Sequence, residues 1–113
     1  MPSGPSTPPV PTIHEAERES GPSGAVLRGP LIEMAAAVAR RKAGQDVVVC
    51  GSDVDANRRL AYQIEATVGP ATRPQFPHTS AGPMSLPHLH QRNRSPDGHT
   101  FYEADKRKTK KKP

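Results

Sequence analysis

The sequence predicts an α+β fold, with two helices around a short strand, then a C-terminal β-hairpin, and disordered N- and C-terminal tails. Three observations support this prediction. Apolar residues recur at helical spacing in two stretches, a β-branched run separates them, and Ser95-Pro96-Asp97-Gly98 is a strong turn signal. We expect a disordered linker over residues 1–24, a small α+β domain over residues 25–105 and a basic tail over residues 106–113.

Composition limits the size of the core and favours an anionic partner. The chain has 113 residues, of which 14 are proline and only 4% are aromatic, so part of it is expected to be disordered. A formal net charge of +5 favours nucleic acid as the partner. The single cysteine, Cys50, argues against a disulfide framework or a multi-cysteine zinc site. No apolar run suggests a signal peptide or a membrane span, so no membrane partner is expected.

The N-terminal stretch is expected to be a linker. Residues 1–24 are rich in Pro, Ser, Gly and Thr, and their prolines disfavour regular pairing. His14 lies in this stretch and is expected to be a solvated linker residue.

The first helix is predicted over residues 29–43. Pro30 suits the first helical position, where a missing N–H costs nothing. Basic residues 40–42 suit the negative end of the helix dipole, and Gly44 follows as a stop signal. Four apolar residues share one face at helical spacing: Leu31, Met34, Ala35 and Val38.

A buried strand and a second helix follow. The run 46–50 is β-branched and bounded by glycines, and Cys50 is expected to pack there as a small hydrophobe rather than act as a nucleophile. The second helix is predicted over residues 53–67, with Ser52 as its N-cap and a stop at 69–70. Its apolar stripe comprises Val54, Leu60, Ile64 and Val68.

The predicted hairpin places histidines together on one strand face. A turn at 95–98 with a bulge at Gly98 would pair Asn93 with Phe101 and turn Leu89 and Phe101 towards the core. The other face would carry His88, His90, Arg92, Thr100 and Tyr102. Without the bulge, the register slips by one residue and Phe101 joins the histidines. The bulged register separates apolar from polar residues more cleanly and is therefore preferred.

The polar face of this hairpin has the groups needed to cleave RNA without a metal. Imidazole gives or takes a proton near neutral pH, arginine pairs with phosphate, and a phenol can donate to developing charge. One base would deprotonate the 2′-hydroxyl, one acid would protonate the leaving oxygen, and a cation would stabilise the phosphorane. A plain solvated sheet face is the alternative.

Two further histidines and the tail have defined places in this prediction. His78 lies in the proline-rich connection 70–87, where it is either a second proton-transfer group over the histidines or an exposed loop residue. His99 points to the core side in the bulged register and ranks below the other hairpin histidines. The basic tail would add nucleic-acid affinity without specificity through counterion release.

The motifs of the hairpin resemble a known family. Residues 87–90 followed by 97–102 resemble the ending of C-terminal toxin domains in bacterial polymorphic toxins of the Rhs and contact-dependent inhibition types. Residues 47–50 and 57–61 are also similar to these modules, and the resemblance spans roughly residues 25 to 105. Many such domains belong to the barnase, EndoU, colicin and RelE grouping of ribonucleases, in which helices precede a small antiparallel sheet that carries the active site.

This resemblance implies a metal-independent ribonuclease toxin without a cofactor, acting on RNA, with tRNA as one candidate. It also implies a cognate immunity protein and a secreted effector that acts in the target-cell cytoplasm, or a cytoplasmic protein if the chain is a detached cassette. The expected catalytic residues are His88, His90, His78, Thr100 and Tyr102. The expected substrate-binding residues are Arg92, Arg94, Lys106, Arg107 and Lys108.

Two other functions remain open from the sequence. In a Zn-dependent nuclease, His88 and His90 would bind the metal together with His78 and a water. In a non-catalytic nucleic-acid-binding protein, the basic tail would supply the affinity.

Overall fold

In the part of the chain that the structure describes, two helices pack on one face of a mixed sheet. The computed structural model describes residues 10–19, 23–72, 85–104 and 107–111. The elements are β1 (Thr12–Arg18), β2 (Val26–Ile32), α1 (Met34–Lys42), β3 (Val47–Cys50), α2 (Val54–Val68), β4 (His88–Leu89), β5 (Thr100–Tyr102) and β6 (Lys110–Lys111). The predicted α+β class is confirmed. In this described part of the chain, no helix is both long and apolar enough to cross a membrane.

The six strands lie in the order β4-β5-β3-β1-β2-β6. β1 pairs antiparallel with β2 on one side and with β3 on the other. β3 runs parallel to β5, β4 pairs antiparallel with β5, and β6 runs parallel to β2. β3 is therefore central, which explains why all four of its residues are apolar and buried.

The sheet separates two apolar clusters. The cluster beneath the helices contains Ile13, Ala37, Val47, Val49, Ala61, Ile64, Leu89 and Tyr102. The cluster on the opposite face contains Ala16, Val26, Val48, Cys50, Leu86 and Phe101. Because alternate residues of β3 enter different clusters, the sheet is packed on both faces.

The predicted N-terminal linker is wrong for residues 12–18, which form the inner strand β1. Ile13 and Ala16 are buried, but the register shifts between His14 and Ala16, so the apolar positions do not alternate. His14 is half-buried rather than solvated: its Nδ1 donates to the Gly29 carbonyl at 3.1 Å, and its Nε2 lies 2.9 Å from Thr12 Oγ1.

The start of the first helix also differs from the prediction. Pro30 and Leu31 belong to β2, and α1 begins only at Met34. The proline is tolerated because, among the described residues, β6 pairs only with Leu27 and Arg28 and leaves this part of the outer edge without a partner strand. At the other end, the predicted glycine stop is confirmed, since Gly44 has a φ of 79°.

The second helix is confirmed, with a different N-cap. α2 begins after Asp53, whose carboxylate accepts the Ala56 N–H at 3.2 Å, so Asp53 and not Ser52 caps it. Ile64 of the predicted stripe lies in the core, together with Ala61.

A buried polar network ties the helices to the chain between β4 and β5. Arg41, predicted to be a partner of the helix dipole, is fully buried and pairs with Glu65 at 2.5 Å. Glu65 also accepts from Thr100 Oγ1 and, at 2.8 Å, from Gln91 Nε2. Arg41 donates in addition to the carbonyls of residues 97 and 98, at 2.8 and 3.1 Å. Hydrogen bonds from the helices thus fix the position of residues 90–99.

The predicted disorder of the C-terminal tail is wrong for residues 107–111. The buried carboxylate of Glu103 accepts the N–H and the hydroxyl of Thr109, at 2.8 and 2.7 Å. Lys110 reaches Glu19 at 2.7 Å. These contacts fix the segment beside the outer strand β2, where β6 adds to the sheet.

Candidate active site

The two strands that carry the histidines pair as predicted in direction, but not in register. β4 and β5 are antiparallel, with His88 opposite Phe101 and Leu89 opposite Thr100, whereas the predicted hairpin placed Asn93 opposite Phe101. Residues 90–99 form a long connection instead of a tight turn. After β4, the chain turns away from β5 because Gln91 forms a β-bridge with Ala71 and donates to Glu65.

This register changes which side chains share a face. Thr100 and Tyr102 lie on the helix side, where Thr100 donates to Glu65 and Tyr102 packs in the core. Burial raises the pKa of Tyr102. His88 and Phe101 share the opposite face, as in the slipped register that the sequence left as the alternative. The predicted grouping of Thr100 and Tyr102 with the histidines is therefore wrong.

Three histidine rings converge on that opposite face, and we call His88, His90, His99 and Phe101 the histidine face. The ring centroid of His99 lies 4.7 Å from that of His88 and 6.0 Å from that of His90. The His88 and His90 centroids are 6.2 Å apart. Phe101 contacts His88 and His99, at 5.8 and 5.4 Å between centroids. His99, ranked below His88 and His90 from the sequence, is thus the nearest to His88 of the histidines that the structure describes.

Backbone carbonyls orient two of these rings. His90 Nδ1 lies 2.8 Å from the Gln91 carbonyl, and His88 Nδ1 lies 3.4 Å from the Leu86 carbonyl. Because a carbonyl oxygen only accepts, each Nδ1 carries a hydrogen and each Nε2 is left to exchange a proton. The backbone of His90 is fixed as well, since its N–H donates to Thr72 Oγ1 and its carbonyl accepts the Thr72 N–H.

Burial keeps two of the rings neutral. It lowers the pKa of His88, and it lowers the pKa of His99 to about 3, with His88 and Arg18 adding in the same direction for His99. Among the described residues, His99 Nδ1 has no hydrogen-bond partner, although Asp46 Oδ1 lies 3.9 Å away. At neutral pH both rings are therefore neutral.

The predicted substrate-binding residues occupy different positions. Arg92 and Arg94 are exposed on the connection after β4; Arg92 Nε donates to the Ala71 carbonyl, and the charge of Arg94 acts on His88. Arg107 donates to the Ser85 carbonyl at 2.7 Å, and Lys108 is exposed. His78 and Lys106 lie outside the described residues.

Two charged residues beside the histidine face were missed from the sequence. Asp46 accepts the His99 N–H at 2.8 Å, and Arg18 Nε lies 3.7 Å from Asp46 Oδ2. Arg18 was hidden in the predicted linker. The all-apolar run of β3 could have indicated that another strand, β1, pairs with it. A strand that is buried on both faces lies inside a sheet and needs a partner strand on each edge.

Neither Cys50 nor a metal cluster adds to this site within the described part of the chain. Burial raises the pKa of the Cys50 thiol to about 11, so it remains protonated and packs as expected from the sequence. In the ranges that the structure describes, no three His, Cys, Asp or Glu side chains are placed to hold a metal ion together.

No protein-family model, curated protein or solved structure matches this chain. Any function proposed for this chain therefore rests on its own residues and motifs.

Proposed function

We propose that this chain is a metal-independent ribonuclease that cleaves RNA by acid/base catalysis on the histidine face. The observation that carries the proposal is the convergence of three imidazoles on one sheet face, with centroids 4.7 to 6.2 Å apart. Imidazole is the side chain best suited to move protons near neutral pH. Clustered, partly buried imidazoles with a lowered pKa are also typical of functional sites.

His88 and His90 have complementary roles in this mechanism. The lowered pKa of His88 favours a neutral ring, whose Nε2 would take the proton of the 2′-hydroxyl as that oxygen attacks phosphorus. His90, with Nδ1 bound to a carbonyl, would present a protonated Nε2 to the leaving 5′-oxygen. The products would be a 2′,3′-cyclic phosphate and a free 5′-hydroxyl.

Arg94 would support substrate binding, because it is exposed, its charge acts on His88, and its guanidinium can pair with a backbone phosphate. Thr100 and Tyr102 have no direct part in this mechanism, since they lie on the helix side of the sheet. Thr100 instead helps Glu65 to hold the strand that follows His99.

The first experiment is cleavage of a single-stranded RNA oligonucleotide by the purified protein, with and without EDTA. We expect cleavage that persists in EDTA and falls by about 100- to 10,000-fold in His88→Gln and in His90→Gln. The all-deoxy version of the same oligonucleotide is expected to stay intact because it lacks the attacking 2′-hydroxyl.

His14→Gln is the matched control, because His14 is a half-buried histidine of the same sheet whose ring bonds to Thr12 and Gly29. It should retain the wild-type rate. Cleavage abolished by EDTA and restored by Zn²⁺ would support the zinc-nuclease alternative. RNA binding without cleavage in any variant would support the non-catalytic alternative.

We further propose that the chain acts as a toxin, on the resemblance of residues 87–90 and 97–102 to polymorphic toxin domains. A secreted effector of this kind would act on RNA, including tRNA, in the cytoplasm of a target cell, and would be neutralised by a cognate immunity protein. The test is induced expression in a bacterium: growth should stop with the wild-type chain and continue with His88→Gln at equal protein level.

A further inference from the structure

The topology of the sheet brings three chain segments to one end of it. β3 and β5 are parallel, so the residues that precede them, Asp46 and His99, lie side by side. β1 is antiparallel to β3, so its last residue, Arg18, lies at the same end. Arg18 also pairs with Val26, which belongs to the cluster on the face opposite the helices. Arg18 therefore lies on the same side of the sheet as the histidine face.

Asp46 links Arg18 to the histidines. Its Oδ1 accepts the His99 N–H at 2.8 Å, and its Oδ2 lies 3.7 Å from Arg18 Nε. The Asp46 side chain is only 17% exposed, whereas that of Arg18 is 61% exposed. Asp46, which is itself hydrogen-bonded to the His99 N–H, thus pairs with a guanidinium that remains open to solvent.

Most of the hydrogen-bonding capacity of Arg18 is unused by Asp46. A separation of 3.7 Å is longer than an N–H···O hydrogen bond, and a guanidinium has five N–H groups in a fork that fits phosphate. In the described part of the chain, Asp46 is the one ion-pair partner of Arg18. An exposed ion pair this long adds little stability.

The charge around the histidine face favours an anion. Arg18 lowers the pKa of both His88 and His99, so its charge reaches both rings. Arg94 acts on His88 as well. Asp46 is the carboxylate facing this group, while the nearby Arg41 is neutralised by Glu65. Among the described residues, the charges of Arg18 and Arg94 both act on His88, and this positive charge suits the phosphate of a nucleic acid.

We infer that Arg18 binds the scissile phosphate of the substrate, and that its guanidinium, paired with Asp46, contacts the non-bridging oxygens of the phosphodiester at the histidine face. This inference rests on the proposed function and deepens it, because it assigns the cation that stabilises the phosphorane. It also places a residue from the N-terminal stretch in direct contact with substrate.

The first test measures binding of inorganic phosphate, followed through the histidine ring signals in NMR spectra of the full chain. We expect phosphate to shift the signals of the histidine face, and its affinity to fall by about 10-fold or more in Arg18→Gln. Arg18→Lys should lie between the two, because lysine keeps the charge but lacks the fork. Arg59→Gln is the matched control, since Arg59 is exposed on α2 at the other face of the sheet.

The second test measures RNA cleavage by the same variants. Arg18→Gln should reduce the rate by about 100- to 1000-fold, and Arg59→Gln should not. Unfolding midpoints should be alike for all of them; if Arg18→Gln fails to fold, the comparison is made between Arg18→Lys and the wild type.

The two tests separate failure of the inference from failure of the proposed function. If phosphate binding depends on Arg18 but the wild type cleaves no RNA, the anion site stands and the ribonuclease proposal fails. If RNA is cleaved and Arg18→Gln is as active as Arg59→Gln, the inference is overturned. Equal phosphate affinity in Arg18→Gln and the wild type, or no binding by either, would also overturn it.

Discussion

At the scale of single residues, His99 has an unusual environment for an imidazole. Its ring is packed against His88 and Phe101, and Arg18 and His88 are close enough to disfavour a charge on it. The sequence identified the residue type but not its position, because a single change in strand register moves His99 from one face to the other.

The titration of His99 predicts a pH-dependent stability. Its pKa is 6.5 in the unfolded chain and about 3 in the folded one, so between these values the unfolded chain binds the extra proton. The free energy of unfolding should therefore fall as the pH is lowered through this window. In urea titrations at about pH 7.5 and about pH 5, the loss attributable to His99 should be on the order of 1 to 2 kcal/mol.

His99→Asn is expected to lose this part of the pH dependence, because asparagine does not titrate. The contribution of His88, whose pKa is also lowered, would remain in the variant. An unchanged difference between the two pH values in His99→Asn would show that His99 is not buried as described.

At the scale of elements, the buried pair of Arg41 and Glu65 connects α1 and α2 to the start of β5. Both side chains are fully buried, and Thr100 and Gln91 complete the hydrogen bonds of the carboxylate. Such a pair is costly to break on one side only, because the remaining charge stays buried without a partner.

Glu65→Leu should therefore destabilise the protein by about 3 to 5 kcal/mol, measured by urea unfolding. The double variant Arg41→Met/Glu65→Leu should recover part of that loss, since neither charge remains. Asp55→Ala is the control: it breaks the exposed pair of Asp55 with Arg58 and should cost less than about 1 kcal/mol. A loss in Glu65→Leu no larger than in Asp55→Ala would contradict the buried network.

The elements that the sequence predicted well are those specified by nearby residues. α2 has its stripe, its stop and an acidic first turn within one stretch, and β3 is a compact apolar run between glycines. β1 and the connection over residues 90–99 were predicted wrongly because residues distant in the sequence determine their structure. β1 is stabilised by pairing with β2 and β3, and the path after β4 is set by Glu65 and Ala71.

At the scale of the whole molecule, β1 is the strand on which the sheet depends. It lies between β3 and β2, so it joins the half that carries the histidines to the half that carries β6. The candidate site follows the same division, because its histidines come from the predicted hairpin while Arg18 comes from β1. The hairpin histidines could therefore be predicted from a local pattern, whereas Arg18 required the pairing of distant strands.

A shortened chain that starts at Ala25 should fail to fold. Without β1, one edge of β2 and one edge of β3 lose their partner strand. The cluster beneath the helices also loses Ile13, and the cluster on the opposite face loses Ala16. A chain that starts at Val10 keeps β1 and should unfold with the same midpoint as the full chain. Circular dichroism during urea titration distinguishes them: a cooperative transition in the chain from Ala25 would show that β1 is dispensable.

The parallel pairing of β3 with β5 has a consequence in time. The two strands lie far apart in sequence, and contacts between distant segments form late, because a long loop must first be closed. His99 meets Asp46 only when that loop has closed, and Arg18 joins them only when β1 is also in place. An extended chain therefore carries every chemical group of the candidate site without its geometry, and the proposed chemistry would begin only when folding is nearly complete.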